Sequence, residues 1–272
     1  MKSLLINIGN KSRKASLIKL DKGKKDKVLK DYYQFIFKNK KLIIKENKKD
    51  IKKAKKKKLK ESLLRRLALN EKKILDIITS IKNIIKLKDP TNVVLEKWKR
   101  PNGLNISKIS IAIGVIGVIY ESRPNVTSDV SALCFKSGNS VILRGGSEAF
   151  YSNQILSKLF RKSLKKNKVD ENFVQFIPST NRNIVDFLLT KMSKFIDVII
   201  PRGGKGLVKK VQNLSNVPTI GHLEGVCHSF VDKDANLKIA NDIIFNAKLR
   251  NTSICGATET ILFHKKIIKK FC

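Results

Sequence analysis

No apolar run in this sequence is long enough to span a membrane. The longest nearly uncharged stretch, Ile109 to Tyr120, falls well short of the roughly 20 residues that a spanning helix needs. Only a few apolar residues follow Met1-Lys2 before Asn7, Gly9 and Asn10, too few for a secretory leader. Cysteine is scarce: Cys134, Cys227, Cys255 and Cys272 have spacings that fit no zinc pattern, so no metal is expected and the thiols read as reduced. No repeat of solenoid length stands out. These absences predict a soluble, cytoplasmic chain.

Acidic residues are also few, 22 against 58 Lys+Arg, for a net charge of +36. The first 90 residues hold 30 basic and 9 acidic side chains. Such an excess raises the possibility of a nucleic-acid partner. Yet 48 of the bases are Lys and 10 are Arg, in a chain also rich in Ile and Asn. All three have A/T-rich codons, so genome composition alone accounts for the charge. Runs such as Lys55 to Lys58 lack the interleaved Arg and aromatic residues of base readout or stacking, and nucleic acid is not the expected partner. With 272 residues and 42% hydrophobic content, the chain can bury one large core or two ordinary ones.

Residues 1–90 read as helices. Leu59, Leu63, Leu64 and Leu67 form one stripe; Asn70 is placed to cap a helix carrying Ile74, Leu75, Ile77, Ile78, Ile81, Ile84 and Ile85 to a stop at Asp89-Pro90. Arg100-Pro101-Asn102-Gly103 signals a hairpin, and Ile109 to Tyr120 reads as strand. Strand and helix then alternate: Ser140–Arg144, Ser147–Lys166, Phe173–Ile177, Asn181–Met192, Asp197–Pro201 and Lys205–Leu214. Continuous apolar strands between amphipathic helices predict an α/β fold with a parallel sheet covered on both faces, its ligand at the carboxyl ends of the strands.

Two glycine clusters fall where a strand hands over to a helix, Arg144-Gly145-Gly146-Ser147 and Pro201-Arg202-Gly203-Gly204-Lys205-Gly206. Such turns let backbone N–H groups approach a phosphate at a helix N-terminus, or simply turn the chain; neither is a GxGxxG or Walker loop. Cys255, in the polar stretch Asn251 to Ala257, and Cys227, between His222 and His228, compete as nucleophiles, whereas Cys134 reads as core.

The run from Gly114 to Glu148, GVIGVIYESRPNVTSDVSALCFKSGNSVILRGGSE, resembles the gamma-glutamyl phosphate reductases (glutamate-5-semialdehyde dehydrogenases) of the aldehyde dehydrogenase superfamily. Ile196 to Gly206, Gly221 to Asp232, Asn246-Ala247-Lys248 and Cys255 with Glu259-Thr260 follow in the same order. The resemblance implies NADPH-dependent reduction of L-glutamate 5-phosphate to L-glutamate 5-semialdehyde, a step of proline biosynthesis. It casts Cys255 as the nucleophile that forms a thioester and Asn125 as the oxyanion-hole amide. Arg144 is then expected at the adenosine ribose or its phosphate, Gly203, Gly204 and Lys205 near the cofactor phosphates, and Gly145, Gly146, Ser147, Glu148 and Arg202 elsewhere along the cofactor site. His222, with Glu224 nearby, stands where hydrolytic relatives carry a water-activating glutamate; a reductase working through a thioester has no use for that base. Around the nucleophile, Asn251, Thr252 and Gly256 depart from the usual pattern.

The fold implied is aldehyde-dehydrogenase-like: an N-terminal helical part of the cofactor domain over 1–97, an oligomerisation hairpin over 98–113, a Rossmann-like NADP-binding domain over 114–224, and the start of a truncated catalytic domain over 225–272. A homo-oligomer is expected of the full-length enzyme, with glutamate 5-kinase a further candidate partner. Two alternatives stay open: another reductase of the superfamily, such as an acylating aldehyde dehydrogenase, and an inactive basic fragment that binds nucleic acid or a partner.

Overall fold

The computed structural model describes residues 2–221, 225–250, 252, 254 and 256–271. They pack as two units, 1–221 and 222–272, described in turn.

The lysine-rich start folds into α1 (Lys2–Ser16), α2 (Lys22–Lys38), α3 (Lys40–Lys56), α4 (Glu61–Leu67) and α5 (Glu71–Lys86). All but α4, which buries only Leu67, bury a stripe and leave most of their lysines in water, where they cost little. In α2 the stripe is Val28, Leu29, Tyr32 and Ile36, and in α5 it runs from Ile74 to Ile84. Asn70 caps α5 as expected, its side chain accepting the Lys73 N–H at 2.9 Å. The stripe expected over Leu59 to Leu67 is only partly realised: Leu67 is buried, while Leu59 and Leu64 are half-buried at the edge of a small cluster. Lys25 departs from the solvated pattern. Only 1% of its side chain is exposed, and its Nζ sits 2.8 Å from Asp89, tying α2 to the residue pair that stops α5.

The hairpin is β1 (Val94–Lys99) paired antiparallel with β2 (Asn105–Ile109). It begins earlier and ends sooner than the 98–113 expected, because apolar residues before Trp98 extend β1, and the run Ile109 to Tyr120 is broken at Ser110–Gly114 before β3 (Val115–Tyr120) begins. Gly114 adopts φ +124° at that break, a left-handed conformation that only glycine tolerates readily.

From β3 the alternation follows the sequence closely: α6 (Pro124–Lys136), β4 (Ser140–Gly145), a 3₁₀ turn at Ser147–Ala149, α7 (Phe150–Lys166), β5 (Val174–Phe176), α8 (Asn183–Lys191), β6 (Val198–Arg202) and α9 (Lys205–Leu214). The four strands form one parallel sheet in the order β5-β4-β3-β6. Strand alternation divides its two faces. Ile116, Val118, Tyr120, Val141 and Leu143 join the core built on α2, α5, α6 and α7, whereas Val115, Ile119, Ile142 and Ile199 join the core built on α1, α8 and α9. Burial on both faces explains why these strands read as continuous apolar runs. Residues 218–220 add a short parallel bridge beside β6 at Ile199–Thr219.

In the second unit β7 (Cys227–Val231) and β8 (Thr258–Phe263) pair in parallel, joined through α10 (Leu237–Leu249), with α11 (Ile268–Phe271) following. No residue of α10 is buried, and Ile239, Ile243, Phe245 and Leu249 are exposed. No helix among the described residues is long and apolar enough to cross a membrane.

Candidate functional site

Strand order reverses at β3. The chain passes from β3 outward to β4 and β5, then returns to place β6 on the other side. In a parallel α/β sheet the carboxyl ends at such a reversal open a crevice. Here that edge carries Glu121 just past β3, Gly145 to Glu148 from the last residue of β4 onward, and Arg202 to Lys205 from the last residue of β6 onward. A cavity of about 360 Å³ lies there, on the face covered by α8 and α9, with Glu121, Arg144, Glu148, Arg182, Leu207 and Lys210 among its lining.

Arg144 is the last side chain of β4 on this face, level with Ile119 of β3. It is 7% exposed. Its Nη1 donates to the Gly145 carbonyl at 2.8 Å and its Nη2 to the Asn181 carbonyl at 3.2 Å, while its buried Nε has no acceptor among the described residues. Burial pulls the guanidinium below its ordinary pKa; Glu148 opposes that shift and Arg182 adds to it. The Glu148 carboxylate accepts both the N–H and the hydroxyl of Ser122 at 2.8 Å, holding the turn after β3 in which Ser122 takes φ +40°. Gly146, Ser147 and Glu148 line the same cavity.

Gly145 has a packing role that its position in a glycine cluster conceals. A methyl group there would run into the amide of Asn153 and lie 3.1 Å from the Tyr120 ring. Beneath it a buried chain runs from the Tyr120 hydroxyl to Thr127 at 2.7 Å and from the Thr127 hydroxyl to the Asn153 carbonyl oxygen at 2.9 Å. The glycine lets the backbone settle on this polar network.

The second cluster forms the N-terminus of α9. Arg202, Gly203, Gly204 and Lys205 are all exposed, and the Gly204 N–H donates to the Glu121 carboxylate at 2.9 Å. A carboxylate thus already sits at this helix end, where the helix dipole favours negative charge. The cluster meets the cavity through Glu121 and, one residue on, through Gly206.

Asn125 lies in the first turn of α6, at the same edge of the sheet but outside the cavity lining. Its Nδ2 donates to Asp129 at 3.1 Å. Burial raises the Asp129 carboxyl above its usual pKa, and the Asn125 contact opposes that shift. Cys134 is buried, which pushes its thiol up to about 12 and makes it inert packing. Cys227 is half-buried at the start of β7. Cys255, His222 and Glu224 lie outside the described residues.

Glu121, Arg182 and Lys210 were not singled out in the sequence. One rule reaches Glu121 and Arg182, that the residues just past β3 and opening α8 face the carboxyl edge; Lys210, midway along α9, carries no such local signal.

Residues 19–272 match the aldehyde dehydrogenase family. The chain belongs to that family. Within it, the chain is 45% identical over 269 residues to a gamma-glutamyl phosphate reductase of Clostridium tetani, a match that covers 98% of this chain and 63% of that protein. It is 44% identical to the corresponding protein of Paramagnetospirillum magneticum, with 96% and 62% covered. The crystal structure of gamma-glutamyl phosphate reductase from Thermotoga maritima superposes with a TM-score of 0.92 at 39% identity, covering 98% of this chain and 65% of that one. This chain therefore spans just under two thirds of the length of these relatives. More distant aldehyde dehydrogenases, such as one from Listeria monocytogenes at 16% identity and a TM-score of 0.67, share the fold.

Proposed function

We propose that this chain belongs to an NADPH-dependent reductase of L-glutamate 5-phosphate, giving L-glutamate 5-semialdehyde and phosphate in the biosynthesis of proline. The observation that carries this reading is the 45% identity to a gamma-glutamyl phosphate reductase across 98% of the chain. The sheet edge supports it independently. Cations from β4, α8 and α9 line a cavity of about 360 Å³ at the carboxyl ends of the strands, where a nucleotide is expected to bind.

When bound, the nicotinamide supplies hydride to an acyl carbon. The chain's own groups do the rest. The Cys255 thiolate attacks the acyl phosphate carbonyl, the C–O bond to phosphate breaks, and a thioester remains. Once the thioester carbon is reduced, Cys255 would leave as the thiolate and the aldehyde would be released. The Asn125 amide, at the start of α6, stabilises the oxyanion that develops in each half-reaction. The hairpin of β1 and β2, exposed on every residue of β1, serves assembly of a homo-oligomer.

The test is a chimaera in which this sequence replaces the matching part of the Clostridium tetani protein. It is expected to oxidise NADPH when glutamate 5-phosphate is generated in situ, and to lose that activity with Cys255→Ala. A folded chimaera that reduces an acyl-CoA but not glutamate 5-phosphate would overturn the substrate assignment.

A further inference from the structure

Three cationic side chains line the cavity beyond β4, and their surroundings differ. The Arg144 guanidinium is buried, and each of its outer nitrogens donates one hydrogen bond to a backbone carbonyl, which fixes the group in the cavity wall. Lys210 is held by Asp186 at 2.6 Å. Arg182, at the N-cap of α8, is exposed, lines the cavity, and makes no ion pair or side-chain hydrogen bond among the described residues. It is also near enough to Arg144 for the two positive charges to repel. A site that brings two guanidinium groups together and leaves the outer one without a counter-charge is built for an anion that arrives from solution.

We infer that Arg182, rather than Arg144, reads the phosphate on the adenosine ribose and so sets the preference for NADPH over NADH. Arg144 is a positioning residue: its Nη2 holds the Asn181 carbonyl, one residue before Arg182, and thereby fixes where the outer guanidinium stands. The planar fork of Arg182 gives a phosphate dianion two parallel N–H donors, which a lysine at that position would not supply. Glu148 sets the opposite condition, because its carboxylate at the same cavity repels a 2′-phosphate unless Arg182 neutralises the approach.

The inference rests on the reading that this cavity takes a nicotinamide dinucleotide, and the experiment separates the two. NADPH and NADH are titrated into the 272-residue chain by nucleotide fluorescence, with 2′,5′-ADP and 5′-ADP as competitors. The unaltered chain is expected to bind NADPH more tightly than NADH. Arg182→Ala should weaken NADPH and 2′,5′-ADP about 10-fold to 100-fold, while NADH and 5′-ADP change less than about twofold; Arg182→Lys should recover part of the loss. Arg144→Lys should weaken all four ligands together and lower the melting temperature, as loss of a buried brace would. If the unaltered chain binds neither nucleotide, the dinucleotide reading falls and this inference with it. If it binds both and Arg182→Ala leaves their ratio unchanged, Arg182 does not read the phosphate and only this inference is overturned.

Discussion

Asp50→Ala should be among the most damaging single substitutions in the N-terminal helices, although Asp50 lies amid lysines in a segment that reads as solvated. Its side chain is 1% exposed, and its carboxylate accepts the Ser152 N–H at 2.8 Å, the Ser152 hydroxyl at 2.7 Å and the Tyr151 N–H at 3.1 Å. These N–H groups belong to the first turn of α7, which has no side-chain cap of its own. Asp50 thus caps α7 from a helix about a hundred residues away and holds the turn that follows Gly145-Gly146. Hydrogen bonds to a charged acceptor are worth about 1.5–3 kcal/mol each, and two buried donors left unpaired cost about 1–3 kcal/mol apiece. These figures overlap rather than add. Burial raises the Asp50 carboxyl above its usual pKa against the pull of the Ser152 and Tyr151 contacts, so part of the gain offsets desolvation. A net loss of about 3–5 kcal/mol remains for Asp50→Ala, on the scale of a broken buried polar network. Asp50→Asn keeps one acceptor oxygen and should lose about 1–2 kcal/mol. Urea unfolding followed by circular dichroism measures both through the shift in midpoint at constant slope. An Asp50→Ala variant within about 1 kcal/mol of the parent, or one no worse than Asp50→Asn, would refute the capping role.

Gly145→Ala should cost about 1–3 kcal/mol by overpacking against Asn153 and Tyr120, and should weaken nucleotide binding because the turn has to lift; thermal melting and NADPH titration read the two effects. Asp89 has its carboxyl held below the usual range: burial works against this, but hydrogen bonds from Lys25 and Thr91 prevail. Its folded pKa is the lower one, so its contribution to stability is full above the unfolded value of about 4 and is lost as pH falls through the folded value. Urea midpoints compared between neutral and acid pH should therefore fall more steeply for the parent than for Lys25→Met, and equal slopes would count against the pair. In the chimaera Cys227→Ala should retain much of the NADPH oxidation that Cys255→Ala abolishes; the reverse order would name the other thiol.

How much of this was legible in the sequence depended on the range of the interactions involved. The strands could be read because burial on both faces leaves no room for polar alternation, and Ser140 to Arg144 matches β4 to within one residue. Asn70 could be read because a cap acts three residues away. Asp50, Asn47 and Ser152 could not. Asn47 bonds the Leu67 carbonyl, the Leu69 N–H and the Ser152 hydroxyl, so a single polar knot ties α3 to the entry of α5 and to the start of α7. Nothing local distinguishes Asn47 or Asp50 from the solvated residues beside them. At the cavity the same limit applied in reverse. Local pattern picked out the glycines, whose neighbours are fixed by the turn, and it picked out Arg144 because it adjoins them. Whether an arginine is spent on backbone or left for a ligand depends on what α8 and its preceding loop bring across the sheet edge, and the Arg144 contact to Asn181 spans 37 residues. The residue best placed to meet a ligand is therefore Arg182, which has no motif around it, while the arginine inside the motif supports the wall.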